Sequence, residues 1–261
     1  MLRPFPVPNW SLEEHDGRCR HAALSDLGRR AKNQDRWFAD DQQQIYLVAD
    51  GMGGRPAGDL VADRIVQELP PKLDRAIGNR NDLRRPATMM LVMGAVADLS
   101  DEIWKAAQLQ PGLVGMGATL VLAVIRGGRA LITHLGDSRA YLIRDWQCIQ
   151  LTHDHSLLQE LLDAGRLAVT EARGHIAGTQ LTRYAGMDDL AMPDARVLDL
   201  LPGDRLLLCT DGLSGALDYP RLAGIAVAST NLSTTCETLV REAKAAGATD
   251  NITVVMVEVT R

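Results

Sequence analysis

Four aspartates stand where strongly apolar runs stop or start. IYLVAD closes on Asp50, LITHLGD on Asp137 and LLLCTD on Asp211, while Asp250 stands just before ITVVMVEV. Runs of that composition suit a dry sheet, and carboxylates gathered at its edge concentrate negative charge that is costly unless a cation neutralises it. An all-oxygen donor set points to Mg2+ or Mn2+ rather than to zinc. An Asp-Gly pair such as Asp50-Gly51 or Asp211-Gly212, taken singly, is an ordinary turn; its recurrence beside apolar runs favours the metal reading. Gly51 lets the backbone approach closely, so its carbonyl is a candidate further ligand.

Other chemical motifs are weaker. GMGGRPAGD, from Gly51 to Asp59, lacks both the phosphate-loop pattern ending in Gly-Lys-Ser/Thr and the dinucleotide pattern, so nucleotide binding has little support. His153 and His155 flank Asp154 in THDHS, where capping of a following helix by Asp154 or Ser156 is expected rather than metal ligation. His134 reads as a strand residue. Cys19, Cys148, Cys209 and Cys236 show no paired spacing of a zinc site, which suggests reduced thiols and a cytoplasmic location.

The elements that must position the aspartates follow from hydrophobic patterning. Strands are predicted near 18–25, 36–40, 44–49, 195–200 and 204–209, with helices over about 57–69, 83–108 and 232–246 and a loop over PPKLDRAIGNRN. The runs ATLVLAVI, RALITHL, RAYLIRD and QCIQLT are separated by connections too short for parallel crossovers, so an antiparallel meander is expected. Antiparallel strands with helices in separate blocks imply an α+β fold with helices outside the sheets. Residues 1–17, with Pro4, Pro6 and Pro8, read as an irregular lead-in, and 18–261 as a single domain. The net charge of −5 and scattered basic residues argue against a nucleic-acid partner. No run reaches the roughly 18 apolar residues of a membrane span.

In this order, GRRAKNQD, VADGMGG with AGD, GMGATLVLAVI, HLGDSRAYLIRD, LTHDHSLLQELLDAG, LTRYAGM, PGDRLLLCTDGL and ATDNITVV resemble the metal-dependent protein serine/threonine phosphatases of the PP2C (PPM) type, bacterial members above all. The resemblance covers nearly everything after about residue 18. It implies a four-layer αββα sandwich, two antiparallel sheets flanked by helices, and hydrolysis of phosphoserine and phosphothreonine on proteins by direct attack of a metal-bridging hydroxide. Mn2+ or Mg2+ would serve, as two ions with room for a third. By the same resemblance Asp50 bridges the two ions, the Gly51 carbonyl binds one of them, Asp211 and Asp250 complete the other's shell, and Asp137 partners Asp211 at the third site. Arg30 matches the residue that holds the substrate phosphate, and Asp35 a carboxylate acting on metal-bound water.

The chain departs from the pattern at Met52, where animal relatives carry a histidine proposed as general acid, at Gln34 in place of a common glutamate, and at Arg55-Pro56 on the rim. The stretch from about 155 to 184 corresponds to the flap beside the active site. Phosphorylated proteins, among them a cognate kinase or its targets, are the implied partners of a monomer. The alternatives are a non-catalytic phosphoprotein-binding domain on this fold and a phosphatase of a small phosphorylated molecule.

Overall fold

A computed structural model describes residues 18–52, 58–78, 80, 82–110, 113–172, 174–188 and 191–260. The lead-in over 1–17 and the Arg55-Pro56 departure lie outside them. Five strands form one antiparallel sheet: β1 (Cys19–Asp26), β10 (Ile252–Val259), β9 (Arg205–Cys209), β6 (Arg139–Arg144) and β7 (Gln147–Gln150), in that spatial order. The second sheet runs β2 (Asp35–Asp40), β3 (Ile45–Met52), β4 (Gly117–Arg126), β5 (Arg129–Leu135) and β8 (Asp194–Asp199).

Strand alternation sends successive side chains to opposite faces, and three cores result. Ile45, Leu47 and Ala49 of β3 face helices α1 (Gly58–Ile77) and α2 (Pro86–Gln108). Tyr46 and Val48 instead meet Leu206, Leu208, Val255 and Val257 between the sheets. The opposite face of the first sheet packs on α4 (Asp211–Ser214), α5 (Tyr219–Ala228) and α6 (Leu232–Ala245). The expected αββα sandwich is therefore present, and no helix among the described residues is long and apolar enough to cross a membrane.

Two local expectations fail, each for a physical reason, and one helix has no counterpart among the predicted elements. The four central runs do not form one meander: β4 pairs with β5 and β6 with β7, but β5 and β6 lie in different sheets. Gly136 makes the crossing, at φ +99 and so close to Thr119 that a Cβ would sit 2.5 Å from its side chain. Residues PPKLDRAI, expected as loop, continue α1, because Leu69, Leu73 and Ile77 extend the buried face at helical spacing and outweigh the hydrogen bonds lost at Pro70 and Pro71. Helix α5 was not anticipated, although Asp218 caps it by accepting from the Arg221 N–H at 3.0 Å and Pro220 follows in its first turn.

The THDHS segment behaves as capping and anchoring. Ser156 caps α3 (Leu157–Asp163), accepting from the Gln159 N–H. His134 of β5 donates from Nε2 to the His153 carbonyl at 2.8 Å, and its ring stacks on His155 with centroids 4.4 Å apart. The Gly136 N–H donates to Nδ1 of His155, leaving its proton on Nε2, 3.2 Å from Asp194. Burial, then the neighbouring His134 and Arg183, lowers the His155 pKa to about 4. The unfolded chain, with an ordinary imidazole near 6.5, takes up more protons than the fold between about pH 6.5 and 4, so stability falls as the pH drops through that window. Urea unfolding of native protein and His155→Gln at pH 7 and 5 should show a steeper acid loss in the native chain, on the order of 1–3 kcal/mol.

Candidate metal and phosphate site

At one end of the sandwich the inter-sheet layer changes from apolar to acidic without breaking its alternation. Along β3 the inward positions read Tyr46, Val48, Asp50, and Asp50 lies opposite Asp35 of β2 and Thr119 of β4. The other sheet contributes Thr210 and Thr253, continuing the inward rows of β9 and β10. Two carboxylates facing each other across neighbouring strands repel, and nothing in a sheet's own chemistry favours that pair.

The remaining acidic groups arrive on segments outside the strands. Asp137 follows Gly136 on the crossing from β5 to β6, and its neighbour Ser138 shares a 2.6 Å hydroxyl hydrogen bond with Thr119. Asp211 opens α4 directly after β9. Asp250 precedes β10, receives the Asn251 N–H on Oδ1 at 2.8 Å, and accepts from Nη2 of Arg30 on Oδ2 at 2.6 Å. Arg30 stands on the loop joining β1 to β2, which crosses between the sheets like the Gly136 loop. All the site residues proposed from sequence thus meet at one end of the molecule.

Electrostatics mark this cluster as strained without cations. Burial, reinforced by repulsion from Asp211, Asp35 and Asp137, raises the Asp50 pKa well above the usual carboxylate range. Asp137 is raised by burial and then by Asp211 and Asp154. Burial also raises Asp211, with Asp250 adding to it and Arg30 opposing. Asp35 rises to about 6, chiefly from burial, although the hydroxyls of Thr253 and Thr210 oppose the shift. Thr210 donates to Asp35 Oδ2 at 2.9 Å, but Asp35 Oδ1 and Asp211 Oδ1 are buried with no hydrogen-bond partner. Buried carboxylate oxygens left without donors, in an all-oxygen set, are what a hard divalent cation fits.

Gly51 packs its backbone against the start of α1, where a Cβ would lie 2.2 Å from the Gly58 carbonyl, so no side chain fits there. His134, His155 and Asp194 form a second cluster of ligand-type atoms. It does not suit a metal: His134 Nε2 donates to the His153 carbonyl, His155 Nδ1 accepts from the Gly136 N–H, and Asp194 is held by Arg183 at 2.7 Å.

Sequence reasoning missed three polar residues of the site. Thr210 and Thr119 read as strand residues, and only the alternation places them on the acidic layer. Asn251 is 3% exposed and its amide holds the Arg30 loop; the Asp250-Asn251 pair opening an apolar strand was the one available sign of it.

Residues 25–246 match the protein phosphatase 2C family. The chain is 36% identical over 239 residues to protein phosphatase PhpP of Streptococcus pneumoniae, an alignment spanning 90% of this chain and 95% of that protein. It is 32% identical over 246 residues to the serine/threonine phosphatase stp of Listeria monocytogenes, spanning 90% and 93% of the two. Its fold matches the catalytic domain of the serine/threonine protein phosphatase PstP in complex with two manganese ions, with a TM-score of 0.80 and 30% identity over 93% of this chain and 99% of that one. These matches span nearly the whole chain: it belongs to the protein phosphatase 2C family and is a metal-dependent serine/threonine protein phosphatase.

Proposed function

We propose that Asp50, the Gly51 carbonyl, Asp211 and Asp250 hold two divalent ions, Mn2+ or Mg2+, that Asp137 and Asp211 share a third, and that Arg30 and Asp35 act on substrate and water. The observation that carries this reading is the burial of Asp35 Oδ1 and Asp211 Oδ1 without donors inside a ring of mutually repelling carboxylates. When bound, the ions supply an activated water and neutralise charge on the phosphoryl oxygens. Asp35 lies opposite Asp50, and its free Oδ1 is the atom placed to take a proton from the attacking water. Its pKa of about 6 describes the cluster without cations, and positive charge nearby draws it down.

Arg30 is about half exposed, so its guanidinium reaches substrate while one end stays tied to Asp250. A planar fork of donors suits the bidentate grip of a phosphoryl group. Met52 has no proton to give, so the leaving oxygen is protonated from solvent. The flap, over about 155–184, is tied to the body beside the site through the Gly136 to His155 hydrogen bond and tunes the choice among protein substrates. Phosphothreonine and phosphoserine proteins, among them a cognate kinase or its targets, are the proposed substrates. Cys19, Cys148, Cys209 and Cys236, none of them in a disulfide, fit a reducing cytoplasm.

Two outcomes test these roles. Asp211→Asn should lower kcat on a phosphothreonine peptide with Mn2+ by about 100-fold or more, yet raise the stability of the metal-free protein by about 1 kcal/mol, because it removes a buried charge. Its stabilisation by added Mn2+, read from thermal unfolding, should shrink. Arg30→Lys should raise KM for the peptide by about tenfold, since a point charge cannot replace the fork, and calorimetry should find Mn2+ affinity close to native.

A further inference from the structure

We infer that Asn251 is a positioning residue that sets Arg30 at its working distance from the acidic cluster, an inference that rests on the phosphate-holding role proposed for Arg30. The segment from Leu27 to Gln34 belongs to neither sheet and has to cross between them, so strand pairing does not fix it. The Gly28 N–H donates to Asp26 Oδ1 and Asn33 Nδ2 to Ser25 Oγ near its ends, and Asn251 ties its two flanks together. Its Nδ2 donates to the carbonyls of Leu27 at 2.9 Å and Lys32 at 3.1 Å, and its Oδ1 accepts from the Gln34 N–H at 2.8 Å. Both N–H groups and the oxygen of the amide are therefore spent on one loop, and they bracket Arg30 from either side.

The same residue is covalently joined to Asp250, the partner of Arg30. A single buried side chain thus links the guanidinium's loop to a carboxylate of the cluster with no flexible element between them. Glycine contacts make the register tight on both sides of this link. Gly28, at φ +59, packs so closely that a Cβ would lie 2.0 Å from the Asp250 carbonyl, and one on Gly212 would lie 1.8 Å from the Asn251 carbonyl. Lys32 closes the far end of the loop by pairing with Asp59 of α1 at 2.5 Å. An aspartate of the same size cannot reproduce the three bonds, because it replaces the two N–H donors with an acceptor facing two carbonyls.

The arrangement acts on geometry rather than on chemistry, because Asn251 carries no titratable group and the three polar contacts of its side chain are all to backbone. Its loss lets Arg30 drift relative to the carboxylates, and displacements of about 1 Å at a reacting site cost up to about 100-fold. Asn251→Ala and Asn251→Asp should each raise KM for a phosphothreonine peptide by about tenfold with kcat changed by less than about threefold. In the metal-free protein, hydrogen exchange should show the Gln34 amide losing protection while the amides of β9 and β10 keep theirs. In an Arg30→Ala background, Asn251→Ala should add little further loss, since the loop no longer carries the guanidinium.

The proposal is overturned if KM stays native in both Asn251 variants while Arg30→Ala raises it, or if the two losses simply add. Failure of both variants to fold would also overturn it, since the amide would then serve the fold and not the arginine. If Arg30→Ala itself leaves KM unchanged, the phosphate-holding role of Arg30 falls, and this inference falls with it.

Discussion

Repulsion among buried carboxylates is the constraint on which the rest of this molecule depends. Asp35, Asp50, Asp137 and Asp211 are all driven toward protonation by burial, and each then feels at least one of its acidic neighbours. Asp211 is the neighbour they share, and its charge raises Asp35, Asp50 and Asp137 alike. A cation seated beside Asp211 would relieve these three repulsions at once, whereas one beside Asp137 alone would leave the repulsion of Asp211 on Asp35 in place. The protein tolerates the cluster because the rest of the inter-sheet layer is closely packed and apolar, from Tyr46 and Val48 through Val255 and Val257.

Much of this was legible in the sequence because the signal is chemical as well as periodic. An aspartate ending an apolar run is anomalous on hydrophobic grounds, so Asp50, Asp137, Asp211 and Asp250 announced themselves before any geometry was known. Arg30 did not, since an arginine in a basic stretch reads as a solvated charge, and only the order of neighbouring motifs marked it. Asn251, Thr210 and Thr119 gave still less. A buried Asn or Thr is defined by its hydrogen-bond partners, and those are remote in the chain: Asn251 bonds to Leu27, Thr210 to Asp35 and Thr119 to Ser138.

The fold errors have the same origin in long-range structure. Periodicity located every strand of the central region but could not tell which sheet each would join. A three-residue link between β5 and β6 looks like a hairpin turn in sequence, whereas here it carries the chain from one sheet to the other. Local rules also undervalued α1, where two prolines argue for a stop while the core face of Leu69, Leu73 and Ile77 argues for continuation. Tertiary burial decided the matter, as it commonly does when a propensity of a few kcal/mol meets a fully apolar face.

The crossings explain why the reactive groups sit at this end. Strands fix their side chains to one of two faces at a rigid 2-residue period, which suits Asp50 and Asp35 but leaves no means of bringing a guanidinium over them. A segment leaving one sheet for the other passes over the open end of the inter-sheet layer. The loop of Arg30 and the loop of Asp137 both do so, at glycines with positive φ, Gly28 and Gly136. Such a segment is free to place a side chain above the acidic layer, and for the same reason has no ladder of its own to hold it. Precision then has to come from side-chain hydrogen bonds such as those of Asn251 and Ser138. In a two-sheet sandwich, the residues that make a metal cluster useful and the small amides and hydroxyls that hold their loops are therefore two halves of one requirement.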